Sequence, residues 1–131
     1  MYLLDTHVLF WWAVEPERLS DAQSKALDRA EAEGEPLAIS AISLWELAMM
    51  AQRKRLRFPQ PMDVWLQAVE RDPAVRVLPL TAGIAARSVH LGGLAPQDPA
   101  DCLIMSTALV HGLPLVTSDD RIRKSGIVPV V

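Results

Sequence analysis

The sequence predicts an α/β fold: a mainly parallel central sheet flanked by helices on both faces, a three-layer sandwich. Three observations predict it. Short apolar runs of strand length alternate with longer helix-length stretches along the 131 residues, the pattern of strand–helix–strand units. Helix start and stop residues fall between these runs rather than inside them. Two of the runs end on an aspartate, Asp5 and Asp119, where a parallel sheet opens into a crevice beyond the carboxyl ends of its strands.

The elements follow in order. Residues 2–4 read as a first strand and 7–14 as a helix. Ser20 starts a second helix with Gln23 at capping-box spacing, and Gly34 ends it. Residues 37–40 form a second strand. Ser43 starts a helix that runs to about Arg55. Another helix spans 62–71, between Pro61 and Pro73. Residues 75–78 form a third strand, and 81–91 a helix that stops at Gly92-Gly93. Asp98 caps a helix with Pro99 at its first position and Gly112 at its end. Residues 115–117 form a fourth strand. Residues 127–130 read as a fifth, at an edge, because Pro129 cannot donate to a central ladder.

Residues 1–131 read as one domain, long enough to bury a core. Half of the residues are apolar and 22% are charged, which excludes disorder for most of the chain. A net charge of −3 argues against coating nucleic acid by bulk charge, though not against a local basic strip. The one cysteine, Cys102, excludes an intrachain disulfide and fits a reducing compartment. No cationic start precedes an apolar signal segment. The longest charge-free stretch, 102–118, contains Gly112 and Pro114 and is too short to span a membrane. The expectation is a cytoplasmic protein with no membrane partner.

Four acids carry the chemistry. Asp5, Glu46, Asp101 and Asp119 each border an apolar segment. Carboxylates that converge repel unless a cation lies between them, and magnesium prefers such oxygen ligands, usually together with substrate phosphate. A bound ion of this kind can activate water and stabilise the leaving oxygen of a phosphodiester. Each acid alone also has a structural reading. Asp5 could cap the helix after it, Glu46 could close a capping box with Ser43, Asp101 could favour a helix dipole, and Asp119 with Asp120 could form a turn. Asp98 reads mainly as a cap. The functional reading rests on the four together.

The segments Leu3-Leu4-Asp5-Thr6-His7, Ser40 to Leu47, Asp98-Pro99-Ala100-Asp101-Cys102-Leu103-Ile104 and Leu113 to Asp119 resemble, in this order, those of PIN-domain proteins. More narrowly, the chain resembles the VapC toxins of bacterial type II toxin–antitoxin modules, over essentially its whole length. The resemblance implies a PIN-like fold and a magnesium- or manganese-dependent ribonuclease. It implies Asp5 and Asp101 as principal metal ligands, Glu46 and Asp119 completing the pocket through waters or a second ion, and Thr6 and Thr117 supporting it by hydrogen bonds. It further implies an RNA substrate, a small VapB-like antitoxin and a homodimer. Relatives with this motif often carry Arg after the second Asp and His shortly before the first; Cys102 and Pro96 or Gln97 stand there instead, so the local substrate contacts differ.

Arg53, Lys54, Arg55 and Arg57 form the densest basic run. They suit RNA phosphates and equally the C-terminal end of a helix. Arg121 and Arg123 follow the fourth acid and are placed to contact RNA, or to be solvated. Of the apolar set Phe10, Trp11, Trp12, Trp45, Met49, Met50 and Trp65, most belongs in the core. Part is expected to face an antitoxin helix or a second copy, an idea that full burial of all four tryptophans would sink. Cys102 is expected to be buried and inert. His7, His90 and His111 are not at metal-ligand spacing. Alternatives left open are a PIN nuclease outside a toxin–antitoxin pair, a silent PIN-like binding module, and an unrelated α/β phosphatase or receiver-like domain, for which no well-placed Lys is present.

Overall fold

A computed structural model describes all residues, 1–131. Four strands, β1 (Leu3–Leu4), β2 (Leu37–Ser40), β3 (Val75–Leu78) and β4 (Leu115–Val116), form one sheet in the order β3-β2-β1-β4. Every pairing is parallel. Seven α-helices accompany them: α1 (Thr6–Val14), α2 (Asp21–Ala32), α3 (Ala41–Gln52), α4 (Met62–Arg71), α5 (Ala82–Ser88), α6 (Pro99–His111) and α7 (Asp120–Ser125).

Successive strand residues point to opposite faces of a sheet, and the core divides accordingly. Leu4, Ile39, Val75 and Val116 pack with α1, α2, α3 and α4 through Val8, Leu9, Leu27, Leu47 and Trp65. Leu3, Ala38, Leu78 and Leu115 pack with α6 and α7 through Ile104, Met105, Ala108 and Ile122. Two apolar clusters on two faces make the three layers predicted. The sheet is covered on both sides, and β1, β2 and β4 are buried at every residue, apolar but for Ser40 at the end of β2. Only β3, at the edge, exposes a charge, Arg76.

The chain leaves β1 toward β2 and β3, then returns through α6 to place β4 on the other side of β1. The direction of winding therefore reverses between β1 and β4, and a crevice opens beyond their carboxyl ends. Asp5 and Asp119 stand just past those two ends.

Several boundaries differ from the sequence reading. α3 starts at Ala41, two residues earlier than expected, because Ser40 at the end of β2 is its N-cap: Ser40 Oγ accepts from Ile42 N at 3.2 Å. Ser43 is therefore inside the helix and fully buried, and the Ser43–Glu46 capping box does not form. α3 stops at Gln52 rather than Arg55, in a turn whose Lys54 has φ 55°. α5 ends at Ser88, short of Leu91. α7 was not anticipated, nor was the 3-10 turn Pro16–Arg18. The expected fifth strand reduces to one bridge, Leu115 to Val130, beside β4.

The Ser20–Gln23 capping box of α2 forms as expected. Gln23 also reaches across the molecule: its amide nitrogen donates to Thr117 O at 3.2 Å and Ser118 Oγ at 3.0 Å. The loop after α3 is held by aromatic packing, with Phe58 edge-on to Trp65 at 4.8 Å and to Phe10 at 5.3 Å. Such pairs contribute about 0.5–1.5 kcal/mol beyond area burial.

Candidate active site

Asp5 follows the central strand directly, with its backbone N donating to Val116 O on β4 at 3.0 Å. Its side chain is occupied on both oxygens. Oδ1 accepts from Thr6 N at 2.8 Å, capping α1, and Oδ2 accepts from the Thr117 hydroxyl at 2.7 Å. Thr117 Oγ1 in turn accepts from Asp119 N at 3.0 Å. One threonine at the end of β4 thus orients Asp5 and fixes the start of the segment carrying Asp119.

Glu46 lies one turn into α3, facing β1. Thr6 Oγ1 is 2.6 Å from Glu46 Oε1 and 2.9 Å from Ser43 Oγ. A threonine hydroxyl has one proton, so Thr6 donates to the carboxylate and the Ser43 hydroxyl serves Thr6. Asp98 caps α6, its Oδ1 accepting from Ala100 N at 2.8 Å and Asp101 N at 3.3 Å. That cap brings Asp101, in the first turn, to the same crevice. Asp119 caps α7, with Oδ1 accepting from Arg121 N at 2.8 Å.

The four predicted acids line one cleft of about 620 Å³, together with Asp98, Thr6, His7 and Arg121. This lies within the range of roughly 300–1,000 Å³ usual for ligand sites. Asp98 caps α6 as expected and also lines the cleft, where its charge raises Asp101. Asp120 is exposed and outside the cleft, which leaves Asp119 as the acid of that segment. Trp11, Trp45, Met49, Met50, Arg53 and Arg55 also line the cleft. Arg123 goes elsewhere: its Nη1 donates to Thr117 O at 2.9 Å, where it supports the end of β4. The fate of Arg123 depends on a carbonyl that only the fold brings near it. Arg121 is the cation at the acids, 3.2 Å from Asp119 Oδ2 and 3.8 Å from Asp101 Oδ2.

The electrostatics are those of crowded carboxylates. Burial pushes Asp101 up to about 7, helped by repulsion from Asp5, Asp98, Asp119 and Glu46. Burial also raises Asp5, against the lowering effect of its hydrogen bonds from Thr117 and Thr6. Glu46 is raised by burial, partly offset by Thr6. Asp119 differs: burial pushes it up, yet the hydrogen bonds and charge of Arg121 hold it below the usual carboxylate range. The donors are all oxygen, and no three of the side chains are close enough to grip one bare ion together. That combination suits a hard divalent cation that keeps part of its water shell, as magnesium does, better than a metal needing nitrogen or sulfur donors.

The tryptophans are not uniformly buried. Trp65 is 6% exposed and Trp45 is 56% exposed, while Trp11 and Trp12 are half-buried against the core. Cys102 is not buried as expected but half-exposed, its Sγ donating to Pro96 O at 3.0 Å. Burial, then Asp101 and Asp98, raise its thiol, which disfavours the reactive thiolate.

Comparison with known proteins agrees with this architecture. The chain is 45% identical to ribonuclease VapC22 of Mycobacterium tuberculosis (strain ATCC 25618 / H37Rv) over 121 residues, covering 92% of this chain and 88% of that protein. Among solved structures it resembles VapBC2 from Rickettsia felis bound to a promoter DNA fragment, with TM-score 0.69 at 18% identity, covering 99% of this chain and 96% of the other. It also resembles FitAcB from Neisseria gonorrhoeae, with TM-score 0.67 at 26% identity and the same coverage. The PIN domain family model matches residues 2–127, so the chain belongs to the PIN domain family.

Proposed function

We propose that this chain is a metal-dependent endoribonuclease and the VapC-like toxin of a type II toxin–antitoxin pair. The observation that carries the reading is the convergence of Asp5, Glu46, Asp101 and Asp119 on one cleft, with Asp101 raised to about 7 by burial and by its acidic neighbours. The 45% identity to a ribonuclease supports the activity, and that relative's VapC name supports the toxin role.

Asp5 and Asp101 would hold magnesium, or manganese in its place, and Glu46 and Asp119 would act through waters or a second ion. When bound, the ion supplies Lewis acidity toward the phosphodiester and lowers the pKa of water at the site. The chain's residues do the positioning. Thr117 fixes the Asp5 carboxylate, and Thr6 fixes Glu46. Burial and its acidic neighbours favour the protonated form of Asp101, and positive charge in the cleft favours its carboxylate. Arg121 sits where a substrate phosphate would approach Asp101 and Asp119. The reaction is attack of water on an RNA phosphodiester, giving 5′-phosphate and 3′-hydroxyl ends. Residues 1–131 act as one domain, held inactive by a small VapB-like antitoxin and paired as a homodimer in the cytoplasm. No helix is long and apolar enough to cross a membrane.

The test is cleavage of a mixed RNA pool by purified protein with magnesium, with manganese, with EDTA, and with Asp5→Asn in magnesium. Metal-dependent cutting that disappears in EDTA and in the variant supports the reading. A folded, partner-free protein that neither cuts RNA nor binds magnesium in calorimetry would favour a silent binding module.

A further inference from the structure

We propose that Trp45 is a nucleobase-stacking platform that holds a single-stranded RNA beside the acidic centre, with Arg53 and Arg55 taking phosphates further along the same cleft. This rests on the ribonuclease reading and names how its substrate is held.

Three observations on α3 carry it. First, of the large apolar side chains on the surface, only Trp45 lines the cleft, and it is 56% exposed. It precedes Glu46 directly, so an aromatic face stands at the rim of the acidic centre. Second, Trp45, Met49 and Arg53 recur every four residues, and Arg53 and Arg55 line the same cleft. At 1.5 Å per residue, Glu46 and Arg53 are about 10 Å apart along the helix, roughly three nucleotides of a stacked strand at ~3.4 Å each. Aromatic faces interleaved with cations are how single strands are held without sequence reading.

Third, the turn that carries Arg53 and Arg55 has a defined hydrogen-bonded shape. α6 and α7 end on left-handed glycines, Gly112 and Gly126. α3 ends with Lys54 in that conformation, at φ 55°, closed by hydrogen bonds from Lys54 N to Ala51 O and Arg55 N to Met50 O. A side chain there is disfavoured, and glycine would be the ordinary residue. Trp11, Met49 and Met50 also line the cleft but are half-buried; the exposed indole between carboxylates and guanidiniums suits a flat base on a charged backbone.

The test uses the Asp101→Asn protein, so that RNA is bound uncut, in magnesium. Oligo(A) and a base-free ribose-phosphate oligomer of equal length are titrated by tryptophan fluorescence and anisotropy across a salt series. Oligo(A) should bind about ten- to a hundredfold more tightly than the base-free strand, and adding Trp45→Ala should remove that preference while Trp45→Phe keeps most of it. Trp45→Ala should leave the salt slope unchanged, whereas Arg53→Ala and Arg55→Ala should each reduce it by about 0.7. An exposed position allows Trp45→Ala to fold, which its melting curve checks. An unchanged preference in Trp45→Ala would overturn the platform. So would unchanged RNA binding together with lost binding of a VapB-type antitoxin, which would assign the face to that partner. If the parent chain cuts RNA in magnesium while Trp45→Ala cuts equally well, the platform fails and the nuclease reading stands; if the parent neither cuts nor binds RNA, both fail.

Discussion

Asp5 and Asp119 occupy matching places, each just beyond one of two neighbouring parallel strands, yet their environments oppose each other. Asp5 is 7% exposed and has hydrogen-bond donors but no cation within salt-bridge reach, and burial raises it. Asp119 is half-buried and has Arg121 at 3.2 Å, which lowers it. Topology sets where the carboxylates stand; the nearest cation decides how much charge each keeps. Of the inner acids, Asp5 thus has no cation in reach and Asp101 has only Arg121 at 3.8 Å among four acidic neighbours, whereas Asp119 holds Arg121 more closely. This difference is why the inner pair should carry the ion.

The strongest way to break the comparison is to neutralise one acid at a time. Asp5→Asn and Asp101→Asn should each lower RNA cleavage about a thousandfold or more, while Asp119→Asn should lower it about ten- to a hundredfold, the range of a residue that acts through others. Equal losses at all three, measured as kcat/KM, would erase the distinction. Asparagine is the right substitution at Asp5 and Asp119, because it keeps the cap acceptor for α1 and α7.

Metal comes next. Saturating magnesium should raise the melting temperature by roughly 5–10 °C, from about 2.7 kcal/mol at a hundredfold excess over Kd. Asp101→Asn should lose most of that gain in a thermal scan, and Asp119→Asn only part of it.

The pH response of the metal-free protein should follow the inner pair. Asp101 and Asp5 are raised in the folded state, so folding favours their protonated forms. The contribution of Asp101 is fully present below about pH 4, the unfolded value, and is lost as pH rises through about 7; that of Asp5 has the same sign. Asp119 has the opposite sign, its contribution being lost as pH falls through its lowered value. A melting temperature that declines from pH 5 to 8 in EDTA, and declines less steeply in Asp101→Asn, where Asp5 and Glu46 still contribute, would sharpen the comparison. A rise over that window would contradict it.

The smallest effect is at Arg121. Arg121→Ala should leave the melting temperature almost unchanged, since the pair is largely solvated. The carbon-13 titration midpoint of the Asp119 carboxyl should nevertheless move upward. No movement would mean that the backbone N–H groups of α7, not the guanidinium, hold Asp119 low.

Much of this was legible in the sequence wherever local chemistry and tertiary demand agree. The four strands, the capping box of α2 and the Asp98–Pro99 start of α6 each follow from a short segment. All four acids reach the cleft because strand ends and helix starts meet at the winding reversal beside β1. Two misses have separate causes. Ser40 and Ser43 are both plausible caps for α3, and the choice depends on where β2 stops, which its sheet partners fix. α7 is six residues with one strongly buried apolar side chain, Ile122, too short for any periodicity to announce it. Arg121 and Arg123 look alike in the chain; only the folded position of the Thr117 carbonyl separates them.

The hydrogen bond between Thr117 and Asp5 joins positions 112 residues apart. A ribosome making about 5–20 residues per second would release Thr117 some 6–20 s after Asp5. Over that interval the growing chain holds two aspartates, Asp5 and then Asp101, without the strand that orients the first or supplies Asp119. The acidic centre is thus incomplete until the segment from Thr117 to Asp119 has been made.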